Sequence, residues 1–204
     1  MTADIVPPPP PPTFTEVMID LETLSLQPNA LILSIGAVRF GPTGLGPEFS
    51  VVVAIDDYKK YKSSFDIDPG TVSWWLMQDL RARGALNRSL WTSLDLALFQ
   101  LNLFLKGAPV TGVWGNGAAF DNVVLRNAYT VIRPDDDPWS YKLDRCYRTL
   151  RSFAPHLTPP NSGTAHVAVD DARSQALHTV RIMRFLGLWP SYEEPVPVAP
   201  GAVG

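Results

Sequence analysis

The sequence predicts an α/β domain in which a mixed β-sheet is flanked by α-helices. Three apolar segments with short connections come first, at residues 16–21, 31–40 and 49–55. They indicate three neighbouring antiparallel strands. Helical patterns then alternate with one further short buried strand, residues 110–114. An initial run of strands followed by alternating helices and a strand is typical of a mixed sheet that carries helices on its faces.

The remaining elements follow from local signals. Glycines and prolines in residues 41–47 predict a turn between the second and third strands. Ser93 is a good N-cap residue and places the start of a helix at residues 94–106. Periodic apolar positions predict the other helices, at residues 71–78, 120–130, 144–153 and 171–186.

The ends of the chain differ in composition from its middle. Residues 7–12 are an unbroken proline run, which favours an extended conformation and serves either as a spacer or as a ligand for a proline-binding domain. We therefore expect a proline-rich disordered tail at 1–13, one folded domain at 14–189 and a flexible tail rich in Pro, Val and Ala at 190–204.

Composition narrows the class of protein. The 204 residues are 46% hydrophobic and 18% charged, as in a globular domain. The single cysteine, Cys146, excludes an internal disulfide and fits a reducing compartment. No basic segment precedes an apolar run at the start, and polar residues interrupt the apolar stretch 94–105. We expect a soluble cytoplasmic protein with no membrane partner.

The net charge limits how a nucleic acid would be held. The formal charge is −3. A protein that holds long duplexes mainly by neutralising phosphates is usually basic. If the substrate is a nucleic acid, its contact with this protein should be short and assisted by metal ions.

The first motif is the segment MIDLETLS. Asp20 and Glu22 lie two residues apart in the first predicted strand, so both carboxylates project from the same face. Two anions held so close repel unless a cation or a proton compensates. Mg²⁺ or Mn²⁺ would fit, because hard cations prefer carboxylate oxygens. The alternative is a solvated strand edge with Glu22 as a helix-entry residue.

The second motif is the segment VWGNGAAFDNVVL. A buried strand ends in Gly-Asn-Gly, and Asp121 lies in the first turn of the helix that follows. Loops at strand ends are a usual place for catalytic groups. Simple capping of the helix dipole explains Asp121 equally well.

The third motif is the segment AHVAVDDARSQALH. His166 precedes the last helix, and Asp171 follows five residues later in its first turn. The aspartate can reach a metal from the helix while the histidine faces a metal-bound water. Asp170 is an alternative, because it could be either the N-cap or the ligand in place of Asp171.

Together the motifs resemble those of a known family. Asp-x-Glu, Asn-x-x-x-Phe-Asp and His-x-Ala-x-x-Asp-Ala, in this order, are similar to the three exonuclease motifs of the DEDDh (DnaQ-like, ribonuclease T-like) 3′–5′ exonuclease superfamily. The segments DLETLSLQPNALILSIGAVRF, TVSWWLMQ and HVAVDDARSQAL resemble the branch that contains phage T4 exonuclease A and mycobacterial-type 3′–5′ exoribonucleases. The resemblance covers residues 19–176 and implies a bacterial or phage-infected host cytoplasm.

The resemblance implies a ribonuclease H-like fold and a hydrolase that releases nucleoside 5′-monophosphates from a free 3′ end. His166 matches the general base, and an imidazole with an ordinary pKa of about 6.5 can accept a proton at physiological pH. Two Mg²⁺ or Mn²⁺ ions about 4 Å apart would stabilise the attacking and leaving oxygens. The matching metal ligands are Asp20, Glu22, Asp121 and Asp171.

The resemblance indicates the substrate-contacting residues less specifically than the metal ligands. In the family, residues just after the first motif contact the terminal nucleotide, which here indicates Thr23 and Leu24. Phe120 is a candidate for packing against a base or sugar, and Asn116 for holding the nucleotide or the motif loop. The expected partner is RNA or DNA with a single-stranded 3′ end or a 3′ overhang. Related enzymes often form homodimers, so a homodimer is an open alternative to a monomer.

Trp74 and Trp75 are the aromatic candidates outside the motifs. Stacking of a base on an aromatic ring contributes about 1–3 kcal/mol and tolerates any sequence. The alternative is that one or both tryptophans pack in the core. Two other functions compete with the exonuclease: a non-catalytic nucleic-acid-binding module on the same fold, and a small-nucleotide phosphohydrolase.

Overall fold

The computed structural model of the chain describes residues 14–61 and 63–190. The predicted tail at 1–13 lies outside the described residues, as does the predicted tail at 190–204 except for its first residue. Among the described residues, no helix has both the length and the apolar character needed to cross a lipid bilayer.

The centre of the fold is a six-stranded mixed sheet. Its strands are β1 (Glu16–Thr23), β2 (Ile32–Gly41), β3 (Gly44–Val53), β4 (Trp91–Thr92), β5 (Gly112–Gly115) and β6 (Asp144–Cys146). The order across the sheet is β4-β3-β2-β1-β5-β6. β1, β2 and β3 pair antiparallel, as predicted. β4, β5 and β6 join in parallel pairings, so the mixed sheet expected from the sequence is confirmed.

Helices cover both faces of this sheet. They are α1 (Pro69–Leu76), α2 (Leu80–Ala85), α3 (Leu94–Lys106), α4 (Asp121–Ile132), α5 (Tyr147–Ser152) and α6 (Ala168–Phe185). Short 3₁₀ segments lie at Ile55–Tyr61, Arg88–Leu90 and Tyr141–Leu143. The Ser93 hydroxyl accepts a hydrogen bond from the Leu96 N–H, so the predicted N-cap of α3 is confirmed.

Several predicted boundaries were wrong. The segment 144–153 does not begin as a helix, because its first three residues pair with β5 as strand β6. The turn before β3 needs only two residues, since Gly41 already pairs with Gly44. α6 begins at Ala168, three residues before the predicted start. α2 and β4 were not predicted from the sequence, because α2 has only six residues and β4 only two.

The alternation of side chains in β1 divides the core into two parts. Val17, Ile19 and Leu21 point into the larger hydrophobic cluster, which includes residues of α3 and α4. Met18 points the other way, into a cluster with residues of α5 and α6. Because successive strand residues alternate between faces, Asp20 and Glu22 project from the same face as Met18. The sheet therefore presents both carboxylates towards α6.

Gly36 in β2 allows α6 to lie directly on the sheet. Gly36 is paired with Asp20 across the β1–β2 ladder. A β-carbon at Gly36 would lie 2.2 Å from the carbonyl carbon of Ala168 and 2.3 Å from the backbone nitrogen of Val169. The absence of a side chain at this position thus brings the first turn of α6, with Asp171, beside Asp20.

We expect Gly36→Ala to destabilise the protein by about 1–3 kcal/mol or more, because the added carbon would overlap helix backbone that cannot rotate away. The shift of α6 should also move Asp171 away from Asp20. Gly84→Ala is the matched control, since a β-carbon at Gly84 would meet nothing within 4 Å. Urea unfolding of both variants measures the loss of stability. A Gly36→Ala variant as stable as the wild-type protein would contradict the close contact between Gly36 and α6.

Candidate active site

Four carboxylates meet at the edge of the sheet where β1 ends. Asp20 and Glu22 come from β1, Asp121 is the first residue of α4, and Asp171 lies in the first turn of α6. Asp20, Glu22 and Asp121 are buried, with 9%, 8% and 3% of their surface exposed. Each of the other three carboxylates repels the charge on Asp20. The structure therefore brings together all four acidic residues that the motifs indicate.

Asp121 is held by the turn that precedes its helix. Its Oδ2 accepts a hydrogen bond from the Gly117 N–H at 3.2 Å. A β-carbon at Gly115 would lie 2.9 Å from the Asp121 Cβ and 3.0 Å from its Oδ2. The close approach of this carboxylate to the backbone at the end of β5 thus explains the glycine at position 115.

Burial and mutual repulsion favour protonated carboxyl groups in this cluster. Burial, followed by repulsion from Asp121 and Glu22, raises the pKa of Asp20 well above its ordinary value. Burial together with Asp171 and Asp121 raises the pKa of Glu22 to about 8. Burial also raises the pKa of Asp121 to about 6 and that of Asp171 above its ordinary value. A divalent cation would stabilise the ionised forms, so this donor set fits a metal site.

His166 closes the cluster from the loop before α6. Its backbone φ is 63°, in the left-handed region that residues other than glycine rarely adopt. The Asp171 carboxylate accepts a hydrogen bond from the His166 N–H at 2.8 Å and so stabilises this conformation. Ligand atoms of Glu22, His166 and Asp171 all lie within 4.8 Å of one another. Strained backbone of this kind is concentrated at functional sites.

The structure distinguishes Asp171 from its neighbour Asp170. The Asp170 carboxylate accepts a hydrogen bond from the Thr164 N–H at 2.8 Å and forms an ion pair with Arg173 at 2.5 Å. Arg173 also holds Glu48 through two hydrogen bonds. Asp170 therefore fixes the loop and the outer surface of α6, while Asp171 faces Glu22.

Gln175 contacts the cluster, although the sequence analysis did not single it out. Its Nε2 donates a hydrogen bond to the Asp20 Oδ1 at 2.7 Å, and 8% of its surface is exposed. Gln175 follows Asp171 by one helical turn, so both residues share one face of α6. That four-residue spacing is the signal by which the sequence could have revealed it.

An open cavity of about 420 Å³ adjoins the carboxylates. Its walls include four of the residues predicted to contact substrate: Thr23, Trp74, Trp75 and Phe120. They also include residues that the sequence analysis did not indicate: Leu21, Leu26, Asp68, Gly70 and Thr71. Glu22 lines the cavity as well, so it connects the acidic cluster to this space.

The two tryptophans have different surroundings. Trp75 is buried, and its indole N–H donates a hydrogen bond to the Thr23 carbonyl at 2.9 Å. Trp74 is 42% exposed, and its ring meets the His166 ring edge to face at 4.9 Å. Trp74 therefore has a free surface beside the acidic cluster, whereas Trp75 supports the end of β1.

Leu24 and Asn116, also predicted to contact substrate, are absent from the walls of this cavity. Leu24 packs partly buried against the larger core cluster. Its N–H donates to the Leu31 carbonyl and its own carbonyl accepts from the Asp68 N–H. The Asn116 carbonyl accepts a hydrogen bond from the Arg148 N–H at 3.1 Å.

Solved structures share this fold. The chain aligns with Escherichia coli exonuclease I in complex with a dT13 oligonucleotide at a TM-score of 0.59 and 17% identity, over 85% of this chain and 42% of that one. It aligns with the complex of the same enzyme with a dA16 oligonucleotide at a TM-score of 0.57 and 18% identity, over 85% of this chain and 43% of that one. For a zinc-bound complex of exonuclease I with single-stranded DNA, the TM-score is 0.56 and the identity 17%, over 85% of this chain and 42% of that one. The chain spans about two fifths of the exonuclease I length.

Sequence comparison identifies the family. No curated protein matches the chain. A family model, described as the Rv2179c-like 3′–5′ exoribonuclease domain, matches residues 15–183. The shared fold confirms the predicted ribonuclease H-like fold. The family match confirms the predicted enzyme class of 3′–5′ exonuclease. The chain thus belongs to the Rv2179c-like 3′–5′ exoribonuclease domain family.

Proposed function

We propose that this protein shortens RNA from its 3′ end and releases nucleoside 5′-monophosphates with the help of two Mg²⁺ or Mn²⁺ ions. The observation that carries the proposal is the cluster of four carboxylates and His166 beside a cavity lined by aromatic side chains. Membership in an exoribonuclease family supports RNA as the substrate. The exonuclease I structures contain DNA oligonucleotides, so DNA is the substrate to compare.

The carboxylates would hold the two metal ions. Divalent metal ions, when bound, lower the pKa of a coordinated water and stabilise the attacking and leaving oxygens of an in-line displacement. The ligands in this proposal are Asp20, Glu22, Asp121 and Asp171. Gln175 would orient Asp20 through its 2.7 Å hydrogen bond, as partners of ligating carboxylates commonly do.

His166 would accept the proton of the attacking water. Its ring lies close to Glu22 and Asp171, and its backbone is fixed by the bond to Asp171. The edge-to-face contact with Trp74 limits rotation of the imidazole. From this position the imidazole would lie within hydrogen-bond reach of a water bound to a metal ion at Glu22 and Asp171.

The cavity would receive the terminal nucleoside. Trp74 offers a free surface for stacking, and Phe120 and Thr23 line the same space. Trp75 would act through its bond to the Thr23 carbonyl rather than by stacking. Since both backbone groups of Leu24 are already paired, Leu24 would contribute its side chain. Asn116 would hold the loop of the second motif through its bond to Arg148.

A gel assay with 5′-labelled single-stranded RNA and DNA oligomers tests the proposal. We expect stepwise shortening from the 3′ end with Mn²⁺ or Mg²⁺, faster for RNA, and none with a chelator or with Asp20→Ala. Faster shortening of DNA would overturn the choice of substrate. If folded protein that binds metal shortens neither oligomer, the exonuclease proposal fails. Hydrolysis of mononucleotide esters alone would then support a small-nucleotide phosphohydrolase.

A further inference from the structure

Arg148 lies at the same edge of the sheet as the acidic cluster. β1, β5 and β6 run parallel, so their carboxyl ends meet at one edge. The first turn of α5, which carries Arg148, begins directly after β6. Asp20 and Glu22 reach the same edge from the end of β1. Arg148 is therefore a cation close to, but outside, the group of proposed metal ligands.

The side chain of Arg148 covers the turn that holds Asp121. Its backbone N–H donates to the Asn116 carbonyl at 3.1 Å. Its guanidinium carbon lies 3.9 Å from the position that a β-carbon on Gly117 would occupy. The Gly117 N–H in turn donates to the Asp121 carboxylate. The guanidinium thus lies against the outer side of the turn whose inner side supports the acidic cluster.

The guanidinium of Arg148 is exposed, and among the described residues it has no ion pair and no hydrogen bond. Nearby arginines differ in this respect. Arg126 pairs with Asp144, Arg173 pairs with Glu48 and Asp170, and Arg145 donates to backbone carbonyls. A planar guanidinium with all its donors available is well suited to phosphate oxygens.

We propose that Arg148 binds an internal phosphate of the nucleic-acid strand, on the 5′ side of the scissile phosphate; this rests on the proposed function. The metal ligands account for the scissile phosphate, and the cavity beside Trp74 accounts for the terminal nucleoside. Arg148 lines neither that cavity nor the acidic cluster. In this proposal the strand on the 5′ side of the scissile phosphate would cross the Gly-Asn-Gly turn, beside which Arg148 lies. Its positive charge there would attract a phosphate locally, although the net charge of the chain is −3.

Kinetics with the shortest substrates test this role. The dinucleoside monophosphate ApA contains only the scissile phosphate, whereas ApApA also contains one internal phosphate. We expect Arg148→Ala to raise KM for ApApA about tenfold with little change in kcat, because one charged hydrogen-bond partner is lost. Hydrolysis of ApA should not change. For a longer oligomer, the slope of log affinity against log salt should fall by about 0.7.

Two further variants separate charge from structure. Arg148→Lys should retain the salt dependence and recover part of the ApApA affinity. Arg181→Ala is the matched control, since Arg181 is an exposed residue about 15 Å along α6 from Asp171 and should have no effect. Equal effects of Arg148→Ala on ApA and ApApA, or no effect on either, would overturn the inference. If wild-type protein shortens no RNA oligomer with Mn²⁺ or Mg²⁺, the proposed function itself fails.

Discussion

Asp171→Asn should reduce kcat/KM for an RNA oligomer by roughly a hundred- to a thousandfold, whereas Asp170→Asn should retain most of the activity. Asp171 faces Glu22 and His166, while Asp170 is held by Thr164 and Arg173. Asparagine at position 171 can still accept the hydrogen bond from the His166 N–H, so the loop before α6 should keep its conformation. Steady-state kinetics and calorimetric titration with Mn²⁺ measure the difference.

The neighbouring variants control for each other, because both replace one aspartate by an isosteric amide in the first turn of α6. Asp170→Asn weakens a partly exposed ion pair with Arg173, which should affect stability only slightly. Equal losses of activity in the two variants, or a larger loss in Asp170→Asn, would contradict the proposed ligand set.

In the absence of metal ions, the protein should lose stability on the order of a few kcal/mol as pH rises from 5.5 to 8. The folded pKa of Glu22, about 8, exceeds its ordinary value of 4.5, and the pKa of Asp121 is raised to about 6. Folding therefore takes up protons in this range. The stabilisation from these two groups is complete at a pH below their pKa values in the unfolded protein. It is lost as the pH rises through their pKa values in the folded protein. Urea unfolding with a chelator at both pH values measures this loss.

Mn²⁺ or Mg²⁺ should reverse this trend, because metal ions bind the ionised carboxylates and stabilise the folded state. The rise in Tm on adding Mn²⁺ should be larger at pH 8 than at pH 5.5. Glu22→Gln should reduce the pH dependence of the metal-free protein. The lowered pKa values of Glu48, Asp68 and Asp144 act in the opposite sense, but below about pH 4.5. Metal-free protein equally stable at both pH values would contradict the expectation.

The sequence predicted the parts of the fold that depend on local pattern. The antiparallel β1–β2–β3 arrangement follows from apolar segments with short connections, and the Ser93 cap marks the start of α3. β6 was missed because its three residues are a strand only through pairing with β5. The Asp144 carboxylate in β6 accepts hydrogen bonds from Asn122, Arg126 and Trp139, and none of these contacts is visible in a local pattern.

In the candidate site, too, the features that follow from local pattern were predicted, whereas those that depend on packing were not. The period of a strand placed Asp20 and Glu22 on one face without any knowledge of the rest of the chain. Spacing favoured Asp171 but did not exclude Asp170, because the choice depends on how α6 is rotated against the sheet. That rotation is fixed by the contact of Ala168 with Gly36. Gln175 was missed for the same reason, since its bond to Asp20 depends on the packing of α6.

The bond between Gln175 and Asp20 joins residues 155 positions apart in the chain. The helix that completes the acidic cluster is synthesised well after the first strand, because it follows β1 in the chain at this distance. Until α6 docks, the face of the sheet with Met18, Val38 and Phe40 lacks its cover. Contacts between such distant residues also form slowly. A chain synthesised only as far as α5 would therefore lack Asp171 and Gln175, so it could not complete the acidic cluster.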